Sequence, residues 1–119
     1  MIRVKRIHDP PAPDDGKRYL ADRIWPRGVS RAQAALDGWL KNIAPSDALR
    51  RWYGHDPARW EEFGIRYRDE LSRPEAAQIL AALRLEAVRE TVTLLFAAKD
   101  RERNNAVVLK ECLDSPPES

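Results

Sequence analysis

Cysteine is almost missing from this chain. A single residue, Cys112, excludes an internal disulfide and fits a reducing cytoplasm. Histidine is scarce as well: His8 and His55 stand far apart, without ligand spacing to each other or to Cys112, so no metal site is expected. No apolar run approaches the roughly 20 residues of a membrane span. Behind Met-Ile-Arg-Val-Lys-Arg there is no apolar stretch of the kind that forms a secretory signal. The expected setting is therefore cytoplasmic, away from membranes. Neither a GxxxxGK phosphate loop nor a GxGxxG run occurs, and no cofactor is indicated. Internal repeats are absent too. The 119 residues read as one domain, placed at 1–113, with a flexible tail at 114–119.

Charge of neither sign dominates, but its distribution is uneven. Residues 1–31 carry eight basic and four acidic side chains, a surplus of +4, which leaves −2 for the remainder of a chain whose net charge is +2. A basic first third suits a phosphate, a nucleotide or a polynucleotide, or simply a solvated surface.

Ile2, Val4 and Ile7 suggest a first strand. The proline-rich segment 8–16 cannot be a helix and is too short for a helical crossover, so the first two strands are a hairpin or separated pieces. A second strand is expected from about Arg18 to Trp25. Ser30-Arg31-Ala32-Gln33 has the pattern of a capping box, opening a helix with Leu36, Trp39, Leu40 and Ile43 on one stripe. A short helix with Leu49, Trp52 and Tyr53 stops at Gly54.

Asp56-Pro57 starts the next helix, whose stripe is Trp60, Phe63, Tyr67 and Leu71. Ser72-Arg73-Pro74-Glu75 opens another, with Ala76, Leu80, Leu83 and Ala87 facing inward. The continuous apolar run 91–98 suits a central strand covered on both faces. A last helix runs from Asn105 to about Leu113, and Cys112 beside its stripe reads as a small core residue. The order β-β-α-α-α-α-β-α makes this an α/β domain with a small, at least partly parallel sheet of about three strands covered by about five helices.

In open α/β sheets, ligands sit beyond the carboxyl ends of the strands, beside helix N-termini. Two expected strand ends lead into helices in this way, Trp25–Ser30 and Lys99–Asn105. Free N–H groups at a helix start attract anions. Arg23, Arg27, Lys99 and Arg103 would add cations, and Gly28 would let the backbone approach a ligand. Asp100 and Asn105 would position the ligand, with Trp25 beside it. Asp22 is the candidate acid, base or orienting group; His55, between a helix stop and a helix cap, is the candidate general base near neutral pH. The same residues have a plainer explanation. Asp22 and Arg23 face opposite sides of a strand, and a structural partner can satisfy each. Pro26 and Gly28 can simply make a turn, Asp100 can cap, and His55 can be a turn residue.

The segments YLADRIWPRGVS, WLKNIAPSDALRRWYGHDPARWEEFGIRYRDEL and LLFAAKDRERNNAVVL resemble the YeaO-like family of short bacterial α/β proteins, over almost the whole chain from Ile2 to Leu113. The resemblance implies the fold and a bacterial cytoplasmic setting, and no particular reaction. Family members often carry a histidine just before the Asn-Asn pair of the last loop; this chain has Arg103 there.

The reading carried forward is a polar pocket at the strand ends for an anionic small molecule, phosphate- or nucleotide-like, with an enzymatic role left open. The alternative is a nucleic-acid-binding or regulatory module using the basic first third, and the plainest reading is an interaction protein without chemistry. The pocket has a topological condition. The second strand and the strand at 91–98 must run parallel, as neighbours or nearly so, placing Asp22, Arg23 and Arg27 in one concave patch with the loop 99–105.

Overall fold

The computed structural model describes residues 1–115. Four strands form one parallel sheet: β1 (Ile2–Arg6), β2 (Lys17–Leu20), β3 (Gly38–Trp39) and β4 (Val92–Phe96), in the order β1-β4-β2-β3. All five residues of β4 are buried between two parallel neighbours, and the polar one, Thr93, donates its hydroxyl to the Asp15 carbonyl at 2.6 Å. Ile2 stands opposite Val92 on one side of β4, and Lys17 stands opposite the same Val92 on the other. β1 and β2 are thus separated pieces, and a hairpin is excluded.

Alternation along β4 divides the core. Val92, Leu94 and Phe96 face the larger cluster, built with Phe63, Tyr67, Leu80, Leu83 and Leu109. Leu95 faces a smaller cluster with Ile7, Leu20 and Ala34, against which Trp25, Leu36 and Trp39 pack. On that second side lies a buried ion pair, Arg18 Nη1 to Asp15 Oδ2 at 2.5 Å. Gly16 brings Asp15 there. Its φ is +64°, and a Cβ would stand 2.0 Å from the Thr91 carbonyl oxygen, so no other residue fits.

The helices are α1 (Arg31–Ala34), α2 (Asp47–Tyr53), α3 (Trp60–Leu71), α4 (Pro74–Arg89) and α5 (Asn105–Asp114). The inward stripes of α3, α4 and α5 are those that apolar spacing predicts. Ser30 accepts from the Gln33 N–H at 3.1 Å and Gln33 Oε1 accepts from the Ser30 N–H at 2.9 Å, the capping box expected there. Asp56 accepts from Ala58 N–H at 3.0 Å, but it caps a 3₁₀ turn (Pro57–Arg59) that precedes α3. Ser72 belongs to the end of α3, where its hydroxyl donates to the Asp69 carbonyl, and the capping position of α4 is Arg73. Cys112 is half-buried against the larger cluster, and burial pushes its thiol pKa up. Residues 116–119 of the expected tail lie outside the described residues, while Asp114 still belongs to α5.

Two expectations fail, for one reason: side chains take over backbone partners. The helix expected across Leu36, Trp39, Leu40 and Ile43 ends at Ala34, with Ala35 left-handed at φ 48°. The guanidinium of Arg18 holds the Ala34 carbonyl at 2.8 Å, and the Asp37 carboxylate accepts the Arg18 N–H at 2.8 Å. The segment is thereby drawn alongside β2 as the short edge strand β3, followed by a 3₁₀ turn (Lys41–Ile43). Trp39 therefore sits on a strand and not on a helix stripe. Likewise β2 ends at Leu20 instead of Trp25. Beyond it, Asp22 and Arg23 spend their side chains on loop backbone, competing with a continued ladder.

Candidate functional site

Because all four strands are parallel, their carboxyl ends share one edge, where β2 and β4 adjoin. A cleft of about 870 Å³ opens there. Its wall takes Asp22, Trp25 and Arg27 from the chain after β2, and Lys99, Asp100 and Asn105 from the chain after β4. The C-terminal end of α2 contributes Arg51 and Tyr53, and the turn that follows contributes His55. The topological condition for the composite site is met.

Asp22 forms part of the floor. Its Oδ2 accepts the Ala97 N–H at 3.0 Å and its Oδ1 accepts Asn105 Nδ2 at 3.1 Å. It has no ion-pair partner among the described residues. Burial raises its pKa, opposed by the Asn105 and Ala97 hydrogen bonds and by the charge of His55 nearby. Asn105 Nδ2 also donates to the Ala21 carbonyl at 2.8 Å, which fixes the amide with its oxygen turned away from both contacts. Asn104 accepts the Val107 N–H at 3.1 Å, capping α5 at the cleft.

His55 is exposed at φ +58°, directly after Gly54 at φ +54°. Two successive left-handed residues turn the chain off α2 and place the imidazole 6.1 Å, centroid to centroid, from the Tyr53 ring. Tyr53 stacks on Phe63 at 4.4 Å and donates its hydroxyl to the Arg103 carbonyl at 3.2 Å, joining α2 to the loop after β4. Asp100 organises that loop. Its Oδ1 accepts the N–H groups of Glu102 and Arg103 at 2.9 and 3.0 Å, and these bonds hold its pKa below the ordinary value.

Cations gather at the rim. Arg27, Arg51 and Lys99 are exposed and make no ion pair among the described residues. Trp25 lines the cleft, but its indole is engaged elsewhere: Nε1 donates to the Val29 carbonyl at 2.7 Å, Arg31 covers the ring at 4.6 Å, and Trp39 meets it edge-on at 5.5 Å.

Three expected site residues stand outside the cleft wall. Arg23 turns away and donates to the carbonyls of Pro45 at 2.9 Å and Ala44 at 3.1 Å, tying this loop to the approach of α2. Gly28 makes a turn at φ +74°. Arg103 pairs with Asp100 at 3.2 Å. The concave patch therefore contains Asp22 and Arg27 without Arg23. Sequence reasoning missed Arg6, Arg51 and Tyr53, all in the cleft wall. Arg6 needed the direction of β1, and the α2 residues needed the knowledge that this helix ends over the sheet edge. Among the described residues no three His, Cys, Asp or Glu side chains come together as metal ligands would, and no helix is long and apolar enough to cross a membrane.

Comparison with known proteins is consistent along the chain. An uncharacterised protein of Mycobacterium tuberculosis is 42% identical over 113 residues, 95% of this chain and 93% of its own length. One from Mycobacterium bovis matches equally. The uncharacterised protein YeaO of Escherichia coli K12 is 38% identical over 115 residues, 96% of this chain and 97% of its own. No solved structure matches. The family described as the inactive DUF488-N3 subclade matches residues 1–118, and the chain belongs to it.

Proposed function

We propose that the cleft binds an anionic small molecule, phosphate- or nucleotide-like, and that holding it rather than transforming it is the task. The observation that carries this reading is the polarity of the cleft from floor to rim. The floor offers an acceptor, the Asp22 carboxylate, each oxygen of which takes a single protein donor. Such a floor selects a hydroxyl or amino group on the ligand. Walls that include Ile24, Pro26, Tyr53 and Phe63 suit a ring. The rim cations Arg27, Arg51 and Lys99 suit a phosphate or carboxylate.

Asp22 and His55 are the groups that would move a proton if the bound molecule were turned over. The description of the subclade as inactive favours binding instead. The nucleic-acid reading has less support. Of the eight basic residues in 1–31, Arg3 pairs with Asp14, Lys5 and Arg18 pair with Asp15, and Arg6 and Arg23 donate to carbonyls. Few remain to meet a polynucleotide.

A thermal-shift screen of phosphorylated and carboxylated metabolites, followed by calorimetric titration, tests the reading. At least one anionic compound should raise the melting temperature, and Arg27→Ala with Lys99→Ala should remove the shift. If no anion stabilises the protein, or the shift survives both substitutions, this cleft is not the binding site.

A further inference from the structure

The 16-residue helix α4 is about 24 Å long and is covered on one side only. Ala76, Leu80 and Leu83 are buried in the larger cluster. On the opposite side Ala77, Ala81, Leu85 and Val88 recur at i, i+4, i+8 and i+11, so they form one continuous stripe. All four are exposed, Leu85 by 69% and Val88 by 85%. An outward helix face is ordinarily charged. This one carries an apolar stripe, with Gln78 the exposed polar residue beside Leu85.

The charges beside the stripe differ in their commitments. On one flank Arg84 is tied back, donating to the carbonyls of Cys112 and Leu113 at 2.8 and 3.3 Å. On the other flank Glu75 in the first turn and Arg89 in the last turn are exposed and make no ion pair among the described residues. They lie fourteen residues apart, close to four full turns, so both project from the same side of the stripe.

We propose that this face is the contact of a symmetric dimer, in which a second copy of the chain lays its α4 antiparallel on the first. A two-fold axis through the level of Ala82 satisfies every feature of the face at once. Glu75 and Arg89 each lie seven residues from Ala82, about 10.5 Å along the helix, so each Glu75 stands level with the partner's Arg89. Rotation about that axis keeps each flank facing its own copy, so the two charges meet on the same side. The large residues Leu85 and Val88 of one helix then fall against Pro74, Ala77 and Ala81 of the other, large into small, which lets the two backbones approach closely. An isologous contact needs this kind of self-complementarity. A parallel arrangement, with the two-fold along the helices, would set this flank against the Arg84 flank of the other copy and leave Glu75 and Arg89 without each other.

A contact made mainly by one helix pair is smaller than the roughly 1,600 Å² of a standard interface, so a weak dimer that forms only at high protein concentration is expected. The face shares no residue with the cleft wall, and the proposal is independent of what the cleft binds.

Sedimentation equilibrium of the full chain, from about 5 µM to about 500 µM, tests it. The average mass should rise from 13.7 kDa towards twice that value. Val88→Glu, at an 85%-exposed position outside the core, should stay monomeric throughout with an unchanged circular dichroism spectrum. Glu75→Arg and Arg89→Glu should each weaken the dimer by about tenfold, since each creates two like-charged pairs, and the double variant should recover the lost affinity. A wild-type chain that is monomeric at the highest concentration overturns the proposal, as does a dimer indifferent to Val88→Glu. A double variant no tighter than the single ones overturns the antiparallel pairing.

Discussion

The carboxylate of Asp22 accepts the backbone N–H of Ala97 at 3.0 Å, so the chain leaving β2 is fastened to the chain leaving β4 where the two parallel strands end. The same carboxylate holds Asn105 at the start of α5. One side chain thus sets the relative position of the two loops that build the cleft. It does so without an ion-pair partner among the described residues, and burial raises its pKa.

Asp22→Ala should therefore destabilise the fold, because it strands the Ala97 N–H and an Asn105 N–H; a loss of about 1–3 kcal/mol is expected. Asp22→Asn keeps one acceptor and should cost less. The two differ in pH dependence. A carboxyl whose folded pKa is raised is penalised in its charged form, so wild-type stability falls as pH rises from the ordinary value of 3.8 through the higher folded value. Asp22→Asn lacks that penalty. Urea unfolding should show the stability gap between wild type and Asp22→Asn narrowing as pH is raised through this window; a gap that widens would show that the charge is stabilised in place.

Arg23 and Arg27 stand four residues apart and should behave oppositely. Arg23→Ala loses charge-assisted bonds to the Pro45 and Ala44 carbonyls and should cost about 1.5–3 kcal/mol. Arg27 is exposed and unpaired among the described residues, so Arg27→Ala should change stability by less than about 0.5 kcal/mol. Anion affinity should show the reverse order. Equal melting losses for the two variants would return Arg27 to a structural role.

Much of this is legible in the sequence. The unbroken run 91–98 gave the central strand, and strand ends running into helix starts gave the two loops that meet at the cleft. Hidden were the steps where a side chain overrules periodicity. Leu36, Trp39, Leu40 and Ile43 keep a helical spacing, yet Asp37 and Arg18 convert that segment into an edge strand and a turn. Nothing in a local pattern announces a guanidinium arriving from sixteen residues upstream. For the same reason the sequence presents Arg23 as a ligand group: its partners, the carbonyls of Ala44 and Pro45, are visible only in three dimensions.

The buried pair Asp15 and Arg18 supports the far side of the sheet. Burial opposes the charge on Asp15, but the Ala12 N–H, Lys5 and Arg18 outweigh it and hold its pKa below 3.8. Asp15→Asn should cost about 3–5 kcal/mol by leaving Arg18 buried without its counter-charge. Asp14→Asn, at an exposed position, should change stability little. Since the folded pKa of Asp15 is depressed, its contribution is complete above 3.8 and disappears as pH falls through the folded value. Acid unfolding of wild type should be steep below 3.8, and Asp15→Asn should lack that component. An Asp15→Asn profile parallel to wild type would contradict this account.

His55 carries a cost that the fold does not require. A non-glycine residue at φ +58° sits in a region that disfavours a Cβ by roughly 1–2 kcal/mol. The preceding Gly54 already turns the chain, and the exposed imidazole makes no hydrogen bond among the described residues. Strain of this kind clusters at functional sites, and two variants test whether the imidazole has a task here. His55→Gly relieves the strain but also loosens the unfolded chain, so stability should be unchanged or raised by up to about 1 kcal/mol. His55→Ala keeps the Cβ and the strain and should not gain. Both remove the imidazole from the cleft wall, and both should weaken anion binding several-fold in calorimetric titration. Full affinity in both variants would leave His55 as a turn residue. Loss of affinity in His55→Ala with rescue in His55→Gly would assign the effect to the backbone of the turn. Only joint loss, with His55→Gly melting no lower than wild type, gives the imidazole a place in the site.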